Sequence, residues 1–395
     1  MPNSFNVKLT KVHLKGFKSI DDLTVDFSGD LNILIGKNGA GKSNFLEFVS
    51  DAVSWRALQK VYRYVKCYYT AENGDIITVE YEREILRADS LKELVNKDRY
   101  VMNHRITLND ELVFDSRSED ETGNVFRGKK FTGRMSIPSK FRVLGYDYPL
   151  SHYITFNLPE DLECIEHPGT LEIYLEDESL IWGTLTTLTF LEDMVFDAEF
   201  TIEYDLESEF FGITKDKIID ALTIRGYILD CLQRYSPIQD VRVNSNLNIY
   251  KLEDRIVIEN IKIDFLINDM WVPWSQLSDG SKRLFYVITE VMSIPGGIAL
   301  LEEPELGIHP HQFNLLLDFI KEQSSQTQII LSTHSPKSLD HLDIDELDKI
   351  LIASYDKELG TQIRHLNARE TRKAQEYIEQ VGFLSDYWLM SDLEE

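Results

Sequence analysis

The chain has 395 residues, 41 of them Lys or Arg and 67 Asp or Glu, for a formal net charge of −26. With 43% hydrophobic and 27% charged residues it reads as a globular protein with core enough for about two to three domains, and the acidic balance argues against nonspecific wrapping around nucleic acid. No apolar run approaches the ~20 residues of a membrane span, and Met1 to Leu14 lacks a signal-peptide core, so a cytoplasmic location is expected.

Two alternating runs open the chain. Val12 and Leu14 face one way, and Leu23, Val25 and Phe27 alternate with polar residues, which predicts an antiparallel pair of half-buried strands. The apolar run Leu31 to Ile35 predicts a buried strand, and Lys42 to Val65 reads as helix. Ile76 to Leu86 and Phe141 to Phe156 are strand-like, the second for its Tyr, Ile, Val and Phe content. Between them, the acidic stretch Ser116 to Asn124 reads as a mobile loop. Arg127, Lys129, Lys130, Arg134, Lys140 and Arg142 then form a run without acids, either a solvated segment or a nucleic-acid contact.

Thr214 to Tyr235 has helical spacing, with Asp216 near its start, and Val241 to Ile267 returns to the alternation of a hairpin or meander. An apolar helix follows at Leu284 to Ile294 and is broken by Pro295-Gly296-Gly297. Strands are expected at Ile298 to Leu301, Gln328 to Leu331, Lys349 to Ala353 and Gln362 to Leu366, with a helix at His309 to Gln323. Alternating strand and helix in this third predicts a mostly parallel, doubly wound sheet. No heptad repeat is sustained, so no coiled-coil arm is expected. Cys67, Cys164 and Cys231 match no metal or redox spacing and are expected to be reduced and structural.

The chemistry concentrates at a few points. Gly36-Lys37-Asn38-Gly39-Ala40-Gly41-Lys42-Ser43, followed by Asn44, satisfies the phosphate-loop pattern and sits between a strand and a helix. Glycines let backbone N–H groups crowd around phosphate oxygens, and the helix N-terminus favours negative charge. Lys42 would reach the β- and γ-phosphates of ATP or GTP, and the Ser43 hydroxyl would hold Mg²⁺. The strand ending in Glu302-Glu303 fits a Walker B element, with Glu302 near Mg²⁺ and Glu303 polarising the attacking water. His334 ends the next buried strand, where it could donate to the γ-phosphate, since neighbouring strand ends share one crevice.

The order of the phosphate loop, Leu277-Ser278-Asp279-Gly280-Ser281, Leu301-Glu302-Glu303-Pro304 and Ser332-Thr333-His334 resembles that of ABC-type ATPases. It is similar to the SMC, RecF and OLD-like branch. Leu14-Lys15-Gly16-Phe17-Lys18-Ser19 resembles that branch's first strand, the signature is Leu-Ser-Asp-Gly, and Glu302 to Pro310 resembles the acid run of OLD-like small AAA-labelled ATPases. The resemblance covers the first ~45 residues and about Pro273 to Pro336. It implies an α/β fold: an ABC-type head whose mixed sheet has a P-loop core, N-terminal antiparallel strands and a central α+β insertion. The expected division is an N-terminal lobe over residues 1–160, an insertion over 161–270 and a signature, Walker B and H-loop lobe over 271–395.

The resemblance further implies that Ser278 and the Gly280 N–H of one copy meet the γ-phosphate held by Lys42 of another. A homodimer or higher homo-oligomer would then be glued by ATP and released by hydrolysis. Small size and the acid run resemble ATPase subunits of anti-phage systems such as the PARIS and Septu types, in which a separate effector, a nuclease among them, is restrained. The alternative is a RecF-like repair ATPase with Arg127 to Arg142 on DNA. Glu302 departs from the common Asp, no Gln stands on a strand end in the Q-loop position, the roles of Glu305 and His309 are open, and Lys18 and Ser19 are the candidates for adenine contact. Too few residues follow His334 for a nuclease domain, and Asp343 and Asp345 are placed in the turn before the Lys349 strand.

Overall fold

The computed structural model describes residues 6–54, 62–85, 100–117, 124–126, 129–131, 136–155, 169–176, 179–181, 196–197, 223–252 and 255–391. The chain divides into two compact units. The first comprises 1–154, 294–303 and 321–395, and the second 155–293 and 304–320.

The first unit is built on a twelve-stranded sheet. Its strands are β1 (Val7–Phe17), β2 (Ile20–Asp26), β3 (Leu31–Ile35), β4 (Tyr64–Ala71), β5 (Ile76–Ile85), β6 (Tyr100–Leu108), β7 (Glu111–Asp115), β8 (Ser151–Ile154), β9 (Ile298–Glu302), β10 (Gln328–Thr333), β11 (Ile350–Asp356) and β12 (Gly360–His365). The spatial order is β8-β9-β10-β3-β11-β12-β2-β1-β4-β5-β6-β7. Pairing is parallel from β8 through β11 and antiparallel across every other pair. The sheet is thus mixed, with antiparallel N-terminal strands as expected, and the mostly parallel arrangement expected of the C-terminal third is that of β8 to β11. Short turns join β4 to β5 and β6 to β7, and Asn109-Asp110, both at positive φ, closes the β6–β7 hairpin as a turn suited to strand twist.

β3 is buried at every residue, which explains its unbroken apolar run. Helix α1 (Lys42–Val53) packs beside it, with Phe45, Leu46, Phe48, Val49, Ala52 and Val53 essentially without solvent contact. Each large side chain of this kind stabilises by about 1.5–3 kcal/mol. The helix ends at Val53 rather than Val65. From Tyr64 the pattern switches to strand alternation, which buries Val65, Cys67, Tyr69 and Ala71. Tyr62 stacks on Phe48 with ring centroids 4.4 Å apart, fixing the return of the chain onto α1. Gln328 at the start of β10 accepts from Leu9 N at 2.9 Å and donates to Leu9 O at 2.7 Å, so one buried amide satisfies β1 at its bulge.

Phe141 to Phe156 is not one strand. Helix α2 (Ile137–Leu144) has Pro138 in its first turn, puts Ile137, Phe141 and Leu144 on one buried face and stops at the left-handed Gly145; β8 follows. Lys140 is fully buried, with Nζ 3.0 Å from His104 Nε2 and 3.4 Å above the Phe114 ring. It is therefore withdrawn from the basic run. Arg127 and Arg134, and most of the acidic loop before them, lie outside the described residues.

In the second unit, Asp240–Val243, Ile263–Ile267 and Met270–Pro273 form one antiparallel sheet. Ser179–Ile181, Gly169–Glu176, Arg255–Ile261 and Asn248–Lys251 form another. Of the helix expected over Thr214 to Tyr235, the described residues show α3 (Gly226–Tyr235), preceded by a Thr223–Ile224 strand; residues 214–222, Asp216 among them, lie outside the described residues. Helix α4 (Asp279–Met292) packs on the first of these sheets through Phe285, which meets Phe265 edge-on at 5.0 Å and Trp274 at 5.9 Å. Helix α5 (Pro310–Gln323) passes from this unit into the first after Ile320. In the first unit, α6 (Ala368–Gln380) opens with an Asn367–Glu370 capping box and is followed by α7 (Leu384–Met390). No helix among the described residues is long and apolar enough to cross a membrane.

Candidate functional site

The phosphate loop leaves the centre of the parallel strands, with β10 and β11 flanking β3. Two of its glycines are dictated by space. A Cβ at Gly36 would lie 2.2 Å from Ala353 O, and one at Gly41 would lie 2.0 Å from Thr361 Oγ1, with Gly41 also at φ +93°. Thr361 is braced in turn. Its hydroxyl meets Ser19 Oγ at 2.7 Å, and Asn44 Nδ2 donates to the same Ser19 oxygen at 2.7 Å. Ser19 and Asn44 thus hold the loop's floor, and Lys18 pairs with Glu47 of α1. Lys37, Asn38 and Gly39 form an exposed tip, Ala40 is buried, and Ser43 is exposed in the first turn of α1.

No side chain among the described residues caps α1, whose N-cap is Gly41, and its first turn carries no acid. Backbone donors and the positive end of the helix dipole are left for an anion. Lys42 is 5% exposed, and its Nζ donates to Gly36 O at 2.7 Å, Lys37 O at 3.3 Å and His334 Nδ1 at 3.1 Å. An ammonium has three donors and no acceptor, so Nδ1 of His334 accepts and its proton sits on Nε2. Nε2 lies 2.8 Å from Glu303 Oε1. Lys42, His334 and Glu303 are therefore one hydrogen-bonded chain across the ends of β3, β10 and β9.

Glu303 adopts φ +46°, a left-handed conformation that costs a non-glycine residue about 1–2 kcal/mol. Its N–H is held by Ser332 O at 2.8 Å. Glu302, one residue earlier, points to the α1 face, where its Oε2 accepts from Tyr153 Oη at 2.5 Å. Burial, and then Glu302 itself, holds the Tyr153 proton on well above the usual tyrosine range. Ser332 pairs with Glu302 in the parallel register and shares its face. Ser332 Oγ is buried and has no hydrogen-bond partner among the described residues.

Lys42 and Glu303, expected from the sequence to share one crevice with His334, each contact His334. Tyr153 carries no signal in the sequence, being distant and on a strand with no motif. Ser278 and Gly280 belong to the second unit. There Ser278 is the N-cap of α4, accepting from Ser281 N at 3.2 Å, and Gly280 is buried in the first turn. Cys67 and Cys231 form no disulfide among the described residues; Cys164 lies outside them. Asp343 sits in the turn before β11, paired with Lys321 at 2.6 Å.

Fold and site together define a P-loop NTPase head of the SMC/RecF-like ABC type. A family model described as "AAA domain, putative AbiEii toxin, Type IV TA system" matches residues 31–340, and the chain belongs to that family. Among curated proteins, the DNA replication and repair protein RecF of Lactococcus lactis subsp. cremoris (strain MG1363) is 40% identical over 57 residues, 14% of this chain and 15% of RecF. The DNA double-strand break repair Rad50 ATPase of Sulfolobus acidocaldarius is 21% identical over 196 residues, 46% of this chain and 20% of Rad50. The chain thus spans no more than about a fifth of either relative's length. Among solved structures, the SmcHead bound to the C-winged helix domain of ScpA aligns over 92% of this chain and 99% of its own, at 16% identity and a TM-score of 0.46. The SMC head domain from Thermotoga maritima aligns over 91% and 100%, at 14% identity and a TM-score of 0.42.

Proposed function

We propose that the protein binds and hydrolyses ATP, and that the nucleotide closes copies of the chain onto one another as a switch controlling a separate effector protein. The observation that carries the reading is the Lys42–His334–Glu303 chain at the mouth of the phosphate loop. A γ-phosphate arriving there competes for Lys42, and the groups it displaces, His334 and Glu303, are those that would order an attacking water. Nucleotide state is thereby coupled to the catalytic pair.

The residues fit the nucleotide and its metal. The uncapped α1 N-terminus and Lys42 suit phosphate oxygens. The Ser43 hydroxyl and Glu302 carboxylate are the hard oxygen donors that Mg²⁺ takes alongside phosphate, and the unsatisfied Ser332 hydroxyl faces the same side. Bound there, Mg²⁺ would neutralise charge on the β- and γ-phosphates. Glu303 would act as general base, and Ser278 and the Gly280 N–H, at the start of α4, would face the γ-phosphate of a second copy. The family description names a toxin–antitoxin system, a setting that suits an ATP switch over an effector encoded beside it, as in anti-phage defence.

The test is the Glu303→Gln variant. With ATP it should accumulate as a stable dimer or larger assembly in light scattering, and the wild type should do so only transiently. A variant that stays monomeric at saturating ATP refutes the switch. The second reading, a DNA-repair ATPase, is favoured by the RecF matches. It requires tight DNA binding by the protein alone, with a salt dependence flattened by substituting Lys129 and Lys130. Lys140 contributes nothing to such a surface, being buried.

A further inference from the structure

We propose that Tyr153 is a positioning residue for the Glu302 carboxylate, and through it for the divalent cation; the inference rests on the ATP-binding reading above. Tyr153 lies on β8, the edge strand parallel to β9, and the register pairs it with Leu300. Paired residues of parallel strands share a face, and Glu302 lies two residues beyond Leu300, so Tyr153 and Glu302 project from the same side of the sheet. That is the side on which α1, the helix that carries Ser43 in its first turn, packs.

The phenol donates to Glu302 Oε2 at 2.5 Å. A carboxylate with one oxygen committed to a fixed donor has its plane set, and its other oxygen carries the contact to metal or metal-bound water. The extra methylene of Glu over Asp makes such a brace useful, because the longer side chain has one more torsion to fix. β8 is itself anchored beside the site. Leu150 O accepts from Ile298 N at 2.7 Å, where β8 and β9 begin, so the phenol is delivered by backbone pairing rather than by a loop.

The experiment titrates Mg²⁺ into the full-length protein with a fluorescent ATP analogue, comparing wild type with Tyr153→Phe, which keeps the ring and removes the hydroxyl. The Mg²⁺ concentration for half-maximal binding should rise about tenfold, the loss expected of an outer partner to a metal ligand. Analogue binding in EDTA and the unfolding temperature in EDTA should be unchanged. Mn²⁺ in place of Mg²⁺, read by its bound paramagnetic spectrum, should show the same weakening without any reliance on hydrolysis. Coincident wild-type and variant metal curves, or an equal loss of binding in EDTA, would overturn the assignment. A wild type whose analogue binding ignores Mg²⁺ altogether would overturn the metal-nucleotide reading itself, and this inference with it.

Discussion

Lys42 and His334 stand 3.1 Å apart, Nζ to Nδ1, although 292 positions separate them in the chain. The contact sets the tautomer of His334 and so aims Nε2–H at Glu303. Replacing His334 with Ala removes the link between Lys42 and Glu303, the proposed phosphate ligand and general base, while leaving the loop intact. ATP affinity should stay within about threefold, and hydrolysis should fall about 100-fold, the usual worth of a positioned acid–base group. Equilibrium binding and single-turnover hydrolysis measured on one preparation separate the two quantities.

The loop glycines make unequal demands. Gly41→Ala puts a methyl group 2.0 Å from Thr361 Oγ1 on a residue at φ +93°, so the loop must move; nucleotide binding should be lost. Gly39→Ala, at φ +82° with open space around it, should cost only the left-handed penalty of about 1–2 kcal/mol and keep measurable affinity. Calorimetric titration of both variants checks the contrast.

The strand, turn and helix of the phosphate loop were legible because they are contiguous in the chain. Glu303 and His334 were legible as strand ends, since parallel packing gathers such ends in one crevice. Tyr153 was not: it meets Glu302 across 149 residues through the pairing of an edge strand that carries no motif. Lys140 misled, because charge alone suggested solvent, whereas α2 turns it onto Phe114 and His104. The end of α1 was missed because Ala, Leu and Lys after Ser54 continue a helical composition, and only the strand alternation from Tyr64 tells against it.

Gln328 tests the packing of the sheet independently of the site. Gln328→Leu leaves Leu9 N–H and C=O without their buried partners, which should lower stability by about 1–3 kcal/mol. Urea unfolding should show the loss, and ATP-analogue affinity should be unchanged.

The contact between buried Lys140 and half-buried His104 predicts a pH dependence. Burial, then the nearby Lys140 charge, lowers His104 from 6.5 to about 4, and burial lowers Lys140 from 10.5 to about 8. Both are bases held below their unfolded values, so the unfolded chain binds more protons within each window and stability rises with pH there. The His104 contribution is lost as pH falls from about 6.5 through 4, and that of Lys140 as pH falls from about 10.5 through 8. The unfolding temperature of the wild type should therefore drop between pH 7 and pH 4 more steeply than that of His104→Gln.

The central claim is that Gly36 to Ser43 holds a nucleoside triphosphate through Lys42. Its most direct test is equilibrium binding of a fluorescent ATP analogue to the wild type and to Lys42→Ala. Removing a charge-assisted hydrogen bond worth about 1.5–3 kcal/mol should weaken binding by about 10- to 100-fold. Undiminished affinity in Lys42→Ala would contradict the account.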